Sequence, residues 1–160
     1  MEWLTWAPLG AAVLHISEEF VLPGGFTAWY RRYRVDASKV TPRFLIVVNA
    51  ALLLGCVQVA LLGRTAPGIF YWMVISAALA ANGIWHIRAS VKSHAYSPGV
   101  VTGTIIYVPL AIYGFALFVR SGEASPGAAL AAGIIGGSYP FWSARYHGVK
   151  PRAKGIQSAQ

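Results

Sequence analysis

The first apolar stretch of the chain contains a histidine and two glutamates whose spacing favours acid–base or metal chemistry. Glu18 and Glu19 follow His15 by three and four positions, so on a helix both carboxylates lie within one turn of the imidazole. The carboxylates point about 100° apart around the helix axis, and each can therefore have a different partner. A charged acid near the centre of a membrane helix costs roughly 2.5–3.5 kcal/mol, which makes such residues rare and usually functional. The alternative is that both glutamates are solvated at the helix end.

Five further polar residues are predicted to lie near the same end of the helices. Asn49 belongs to the second apolar stretch, Asn82 and His86 form an i,i+4 pair in the third, and His94 and Tyr96 follow in the next loop. We expect these residues to share one layer, and hence one site, with the two glutamates. A lone asparagine in a membrane helix often serves only to form a hydrogen bond with a neighbouring helix. That interpretation applies above all to Asn49.

The elements that position these residues are predicted to be membrane helices. Of the 160 residues, 56% are hydrophobic and 11% charged, whereas soluble proteins are about 25% charged; the mean hydropathy is +0.55. Apolar stretches near the roughly 20 residues needed to span a bilayer cover residues 3–22, 44–62, 68–87, 100–119 and 127–144. We therefore expect an all-α membrane protein, a bundle of about five transmembrane helices. We expect residues 1–148 to form one domain and residues 149–160 to form a flexible basic and polar tail.

The basic residues predict how the bundle is oriented. All 13 Lys and Arg residues except Arg64 and Arg120 lie in the first loop, the third loop or the C-terminal region. The positive-inside rule then places the N-terminus outside, the C-terminus in the cytoplasm and the polar layer near the cytoplasmic surface. A net charge of +8 is also found in nucleic-acid-binding proteins, but here the charges separate apolar stretches. The expected partner is the lipid bilayer, with no nucleic acid.

These side chains indicate two related kinds of catalysis. Imidazole and carboxylate groups on neighbouring helices can bind a divalent metal ion, zinc or iron. We predict that the ligands come from His15, Glu18, Glu19 and His86, and that the glutamate that does not bind the metal acts as a base. The same four residues can instead act without a metal as acids and bases, while Tyr96 donates to a developing oxyanion.

The predicted substrate is a small hydrophobic or lipidic molecule. Asn49, Asn82 and His94 are the candidate residues for binding it. Isomerisation, cyclisation or hydrolysis would each fit an acid–base or metal site of this kind. The alternative function is a small transporter or a proton- or ion-conducting protein that uses the same His and Glu residues. Against it, the polar groups concentrate at one depth and the chain has no evident inverted repeat.

Three short motifs together resemble the HXXEE family. They are His15-Ile16-Ser17-Glu18-Glu19, Asn82-Gly83-Ile84-Trp85-His86 and Tyr96-Ser97-Pro98-Gly99. The resemblance implies a small multi-pass protein of the bacterial inner membrane, and its motifs suggest an enzyme without naming the reaction. Members of that family share a further histidine outside the first motif, and the resemblance leaves open whether it corresponds to His86 or to His94.

Small residues in the fifth stretch predict a close helix contact. Gly133 and Gly137 form a G-x-x-x-G pair, which allows two helix backbones to approach each other. The contact is predicted either within the chain or between two copies in a homodimer. The single Cys56 lies in an apolar stretch, so no disulfide framework is expected.

Overall fold

The computed structural model describes residues 2–21, 25–33 and 41–141 of the chain. Across these ranges the chain forms helices and no β-strand, so the predicted all-α fold is confirmed. We number the helices α1 (Trp3–Val21), α2 (Gly25–Tyr33), α3 (Pro42–Leu62), α4 (Ala66–Ser93), α5 (Val100–Arg120) and α6 (Pro126–Gly137). Within α5, residues Gly103–Tyr107 form a π-helical segment between two α-helical parts.

Three of the helices begin with the same local signal. Thr41, Thr65 and Ser125 precede α3, α4 and α6, and proline occupies one of the first two helical positions each time. Each hydroxyl accepts a hydrogen bond from the backbone N–H three residues later, at 3.1–3.2 Å. The cap satisfies one of the unpaired N–H groups of a helix start, and proline tolerates that position because it has no N–H. These boundaries are therefore set locally.

Within the described ranges, three helices are long and apolar enough to cross a membrane: Arg43–Leu62, Ala66–Ser93 and Val100–Arg120. They correspond to the second, third and fourth predicted spans. The polar residues of α1 keep its hydropathy below that of a candidate span, and α6 has 12 residues, fewer than the roughly 20 that a straight span needs. Five spans thus remain a prediction. The end of the fifth predicted span and the tail 149–160 lie outside the described residues.

The structure contains one helix that the sequence analysis missed. Residues predicted as part of the first loop form the nine-residue α2. Phe26, Trp29 and Tyr30 are buried on one face against α3 and α4, whereas Arg31 and Arg32 are exposed. The charged residues and short length hide this helix from a search for apolar stretches. Its apolar face becomes evident only from the neighbours that it covers.

The central helix is α4, which packs against α1, α3, α5 and α6. It runs to Ser93, beyond the predicted end at residue 87, and stops where His94 takes a left-handed conformation with φ of 50°. Glycines bring α5 close to it, since a Cβ on Gly83 would lie 2.6 Å from the carbonyl oxygen of Gly103. Side chains at these two positions would push the helices apart.

The buried face of α1 carries the predicted site residues. Leu4, Pro8, Ala11, Ala12, His15, Glu18 and Glu19 are buried at spacings of three and four, the period of one helix face. At the other end of this face, the indole N–H of Trp72 in α4 donates to the carbonyl oxygen of Leu4 at 2.7 Å. Packing therefore directs the polar end of α1 into the bundle.

The small residues of α6 make their closest contact at Gly136. A Cβ on Gly136 would lie 2.1 Å from the carbonyl oxygen of Val74 in α4. By contrast, a Cβ on Gly137 would have nothing within 4 Å, and one on Gly133 would make an ordinary contact with Phe115. The tight packing within the chain thus uses neither glycine of the predicted G-x-x-x-G pair. A homodimer through that pair stays a prediction.

Alanine substitutions at Gly136 and Gly137 test this packing. We expect Gly136→Ala to destabilise the protein by about 1–3 kcal/mol, because its methyl group overlaps the α4 backbone. The matched control Gly137→Ala should leave stability unchanged or raise it by up to about 1 kcal/mol, since alanine favours a helix. Thermal unfolding in detergent measures both. Equal melting temperatures for the two variants would contradict the observed packing.

Candidate functional site

A buried cluster of three side chains joins α1 to α4. Oε1 of Glu19 lies 3.5 Å from Nε2 of His15 and 3.2 Å from Nε2 of His86. The three residues are 2%, 7% and 1% exposed, for His15, Glu19 and His86 respectively. The two imidazole rings are nearly perpendicular, with centroids 5.0 Å apart. Three of the predicted catalytic and metal-binding residues therefore meet in space.

This cluster has the composition of a metal site. One ligand atom from each of His15, Glu19 and His86 can be chosen so that all three lie within 4.8 Å of one another. Two imidazoles and one carboxylate are a donor set that suits zinc or iron. Three protein ligands also leave further coordination positions for other molecules. Glu18, the fourth predicted ligand, is not a member of this group.

Glu18 instead binds the N-terminal end of α5. Its Oε1 accepts hydrogen bonds from the hydroxyl of Tyr96 at 2.6 Å and from the backbone N–H groups of Gly99 and Val101 at 3.0 Å. Its Oε2 accepts from the backbone N–H and the hydroxyl of Thr102, at 2.7 and 2.5 Å. A carboxylate here pairs N–H groups that a helix start leaves free and suits the positive end of the helix dipole. The two glutamates thus have different partners.

The phenol of Tyr96 is also committed to Glu18. The side chain lies in the loop between α4 and α5 and is 47% exposed. Loss of hydration, the hydrogen bond to Glu18 and the charge of that carboxylate raise the pKa of Tyr96 to about 12. Tyr96 therefore stays protonated as a donor. Its partner in this structure is Glu18, and its donation to an oxyanion stays a prediction.

The backbone of Gly99 closes one side of the cluster. With φ of +95°, Gly99 adopts a conformation that favours glycine. A Cβ there would lie 2.7 Å from Cε1 of His15 and 2.9 Å from Cε1 of His86. Ser97, fully buried, places Oγ 3.1 Å from Nδ1 of His86. The Tyr96–Gly99 segment therefore contacts both histidines and Glu18.

Two residues of α5 that the sequence analysis missed contact His15. The hydroxyl of Thr102 lies 2.8 Å from Nδ1, and the Tyr107 ring packs on the imidazole at a centroid distance of 4.5 Å. Thr102 ends the first α-helical part of α5, and Tyr107 ends the π-helical segment, a feature that is frequent at functional sites. Two polar positions in an apolar stretch were the signal for them in the sequence, but such a signal is weak.

The predicted substrate-binding residues separate into two groups. Asn82 lies beside the cluster, with Nδ2 3.1 Å from Nε2 of His15, and Asn49 lines the adjoining cavity. His94 is exposed at the end of α4 and does not line the cavity. The structure thus brings His86, and not His94, to the HxxEE residues.

A cavity of about 160 Å³ adjoins the cluster. His15, Glu19, Asn49, Asn82 and His86 supply its polar groups, and most of the remaining lining is apolar. Its aromatic side chains are Phe26, Tyr30, Phe44, Trp85 and Tyr139. Small-molecule sites typically combine apolar walls with a few polar groups in this way. A small, largely apolar molecule fits the character of this cavity.

Replacing Glu18 by glutamine tests its role at α5. An amide presents N–H donors where the carboxylate accepts five hydrogen bonds, so Glu18→Gln should cost about 1–3 kcal/mol of stability. The control is Glu123→Gln, whose carboxylate forms a partly exposed pair with Arg64 at the opposite end of the helices; we expect it to cost less than about 1 kcal/mol. Thermal unfolding in detergent compares them. A smaller loss for Glu18→Gln than for Glu123→Gln would contradict this role.

Comparison with known proteins places the chain in a family. The family model described as a protein of unknown function with HXXEE motif matches residues 6–114, which include the cluster, the Tyr96–Gly99 segment and Thr102. Searches of curated proteins and of solved structures give no significant match. Because the family match covers more than half of the chain, this protein belongs to the HXXEE family.

Proposed function

We propose that this protein is an integral membrane enzyme that binds a divalent metal ion through His15, Glu19 and His86 and acts on a small hydrophobic or lipidic substrate. The observation that carries the proposal is the convergence of three buried ligand atoms within 4.8 Å at the wall of an apolar cavity. Buried charges are normally paired or bound to a metal. A functional site at this position accounts for the polar groups and for the cavity together.

The residues around the proposed site have separable tasks. A bound zinc or iron ion would supply a Lewis acid. Glu19 and the two histidines would hold it, while the aromatic walls would bind the apolar part of the substrate and exclude water. Asn49 and Asn82 provide hydrogen bonds for a polar group of the substrate. Isomerisation, cyclisation and hydrolysis are all reactions that such a site supports.

Acid–base catalysis by the same residues is the metal-free form of this proposal. The observation in its favour is the 3.2 Å contact between Glu19 and His86, which allows a proton to pass between carboxylate and imidazole. Transport is the competing class, since intramembrane His and Glu residues also form proton relays. The compact cluster at one end of the helices favours the enzyme.

Metal analysis of purified variants tests the site. We expect stoichiometric zinc or iron in the wild type and loss of that metal in His15→Ala, His86→Ala and Glu19→Gln, since each variant removes a ligand. The matched control is His94→Ala, which removes an exposed histidine outside the cluster and should retain the metal. Elemental analysis after purification in detergent gives the stoichiometry.

Two outcomes contradict the metal site: wild-type protein that stays metal-free after exposure to zinc and iron, or metal retained when both His15 and His86 are replaced. Proton or ion flux in liposomes then separates the remaining functions. Flux that disappears in Glu19→Gln would favour transport over acid–base catalysis.

We also propose that the site faces the cytoplasm of a bacterial cell, with the chain in the inner membrane and its N-terminus outside. Two observations support this orientation. Three of the described helices are long and apolar enough to span a membrane, and Lys and Arg are concentrated beside the helix ends that carry the site. Glu19 and His86 then lie within reach of the inner leaflet.

Cysteine labelling tests the orientation. In a background with the buried Cys56 replaced by serine, we expect a membrane-impermeant maleimide to label Ser121→Cys in spheroplasts. Lys92→Cys, exposed at the site end of α4, should react only after permeabilisation. The opposite labelling pattern would contradict the proposed topology.

A further inference from the structure

We propose that Thr102 is a positioning residue that holds the proton of His15 on Nδ1 and so directs the Nε2 lone pair of His15 into the cluster. The proposal rests on two consecutive contacts of the Thr102 hydroxyl. Its Oγ1 lies 2.5 Å from Oε2 of Glu18 and 2.8 Å from Nδ1 of His15. This assignment deepens the proposed metal site. Its expected effect on metal affinity rests on the proposed function, whereas the position of the proton on His15 does not.

The direction of these hydrogen bonds follows from the number of protons available. The Glu18 carboxylate accepts from three backbone N–H groups and from the hydroxyl of Tyr96, and an ionised carboxylate has no proton to donate. Thr102 must therefore donate its single hydroxyl proton to Glu18. Its oxygen is then an acceptor toward His15, so Nδ1 of a neutral imidazole carries the proton.

The other face of the His15 ring agrees with this assignment. Nδ2 of Asn82 lies 3.1 Å from Nε2 of His15, closer than the Glu19 carboxylate oxygen at 3.5 Å, and an amide N–H donates to a nitrogen lone pair. A metal ion in the cluster would replace that amide hydrogen as the partner of Nε2. Metal-binding histidines commonly donate their other N–H to a neighbouring acceptor, which fixes the tautomer and the ring orientation.

His86 differs from His15 in this respect. Its Nδ1 contacts the hydroxyl of Ser97 at 3.1 Å, and no carboxylate contact to that hydroxyl is found among the described residues. Ser97 can therefore donate to His86 or accept from it. The different partners of their Nδ1 atoms assign different roles to the two histidines. His15 has a fixed lone pair, whereas the contact with Ser97 leaves the tautomer of His86 open.

Nitrogen NMR of the imidazoles tests the tautomer directly. We expect ¹⁵N-histidine-labelled wild type, stripped of metal in detergent, to show Nδ1 of His15 protonated and Nε2 unprotonated, assigned by comparison with His15→Asn. Thr102→Val should move the proton toward Nε2 and weaken zinc binding by about 10–100-fold. Thr102→Ser restores the hydroxyl and should restore the wild-type tautomer and affinity.

The control variant is Thr104→Val in the same helix. Its hydroxyl is exposed and donates to the carbonyl oxygen of Val100, so the tautomer and the zinc affinity should not change. A wild-type His15 that is protonated on Nε2 overturns the assignment, as does a Thr102→Val protein with unchanged tautomer. The wild-type spectrum decides this even if a variant fails to fold. An Nδ1–H tautomer in a protein that binds no metal supports the role of Thr102 while rejecting the proposed function.

Discussion

The hydrogen bonds between Glu18 and the start of α5 hold the site together. A carboxylate removed from water loses its hydration and must be compensated by other donors. The first N–H groups of a helix need acceptors in the same way. Two hydroxyls and three backbone N–H groups meet this need around Glu18. The position of α5 relative to α1 is set by this contact.

Close helix packing completes the arrangement from the side of α4. Gly83 and Gly103 let the backbones of α4 and α5 touch three residues before His86. Gly99 then lies against both imidazole rings, in space that a larger residue would occupy. Because each of these positions lacks a side chain, His86 can approach Glu19 to 3.2 Å. The polar cluster therefore depends on glycine contacts that carry no chemistry themselves.

The surroundings of the cluster are apolar, and this affects both its energetics and its proposed use. Phe26 of α2 and Trp85 of α4 pack on His86, with ring centroids 5.8 and 4.9 Å away. Hydrogen bonds and charge interactions are stronger in such surroundings than in water. The same aromatic side chains line the cavity. In the proposed enzyme, one wall thus both shields the ligands and binds the substrate.

The sequence by itself determined the features that depend on neighbouring residues: the all-α character, the capped helix starts at Thr41, Thr65 and Ser125, and the position of both carboxylates within one helical turn of His15. Capping and helical spacing act over three or four positions, so a single sequence contains them.

The tertiary structure decided which glutamate faces α5 and which faces His86. It also selected His86 over His94, recruited Thr102, and folded α2 over the site. These choices depend on contacts such as those from His15 to residues 67 and 87 positions away. A spacing within α1 fixes the angle of each side chain but not the neighbour that it meets.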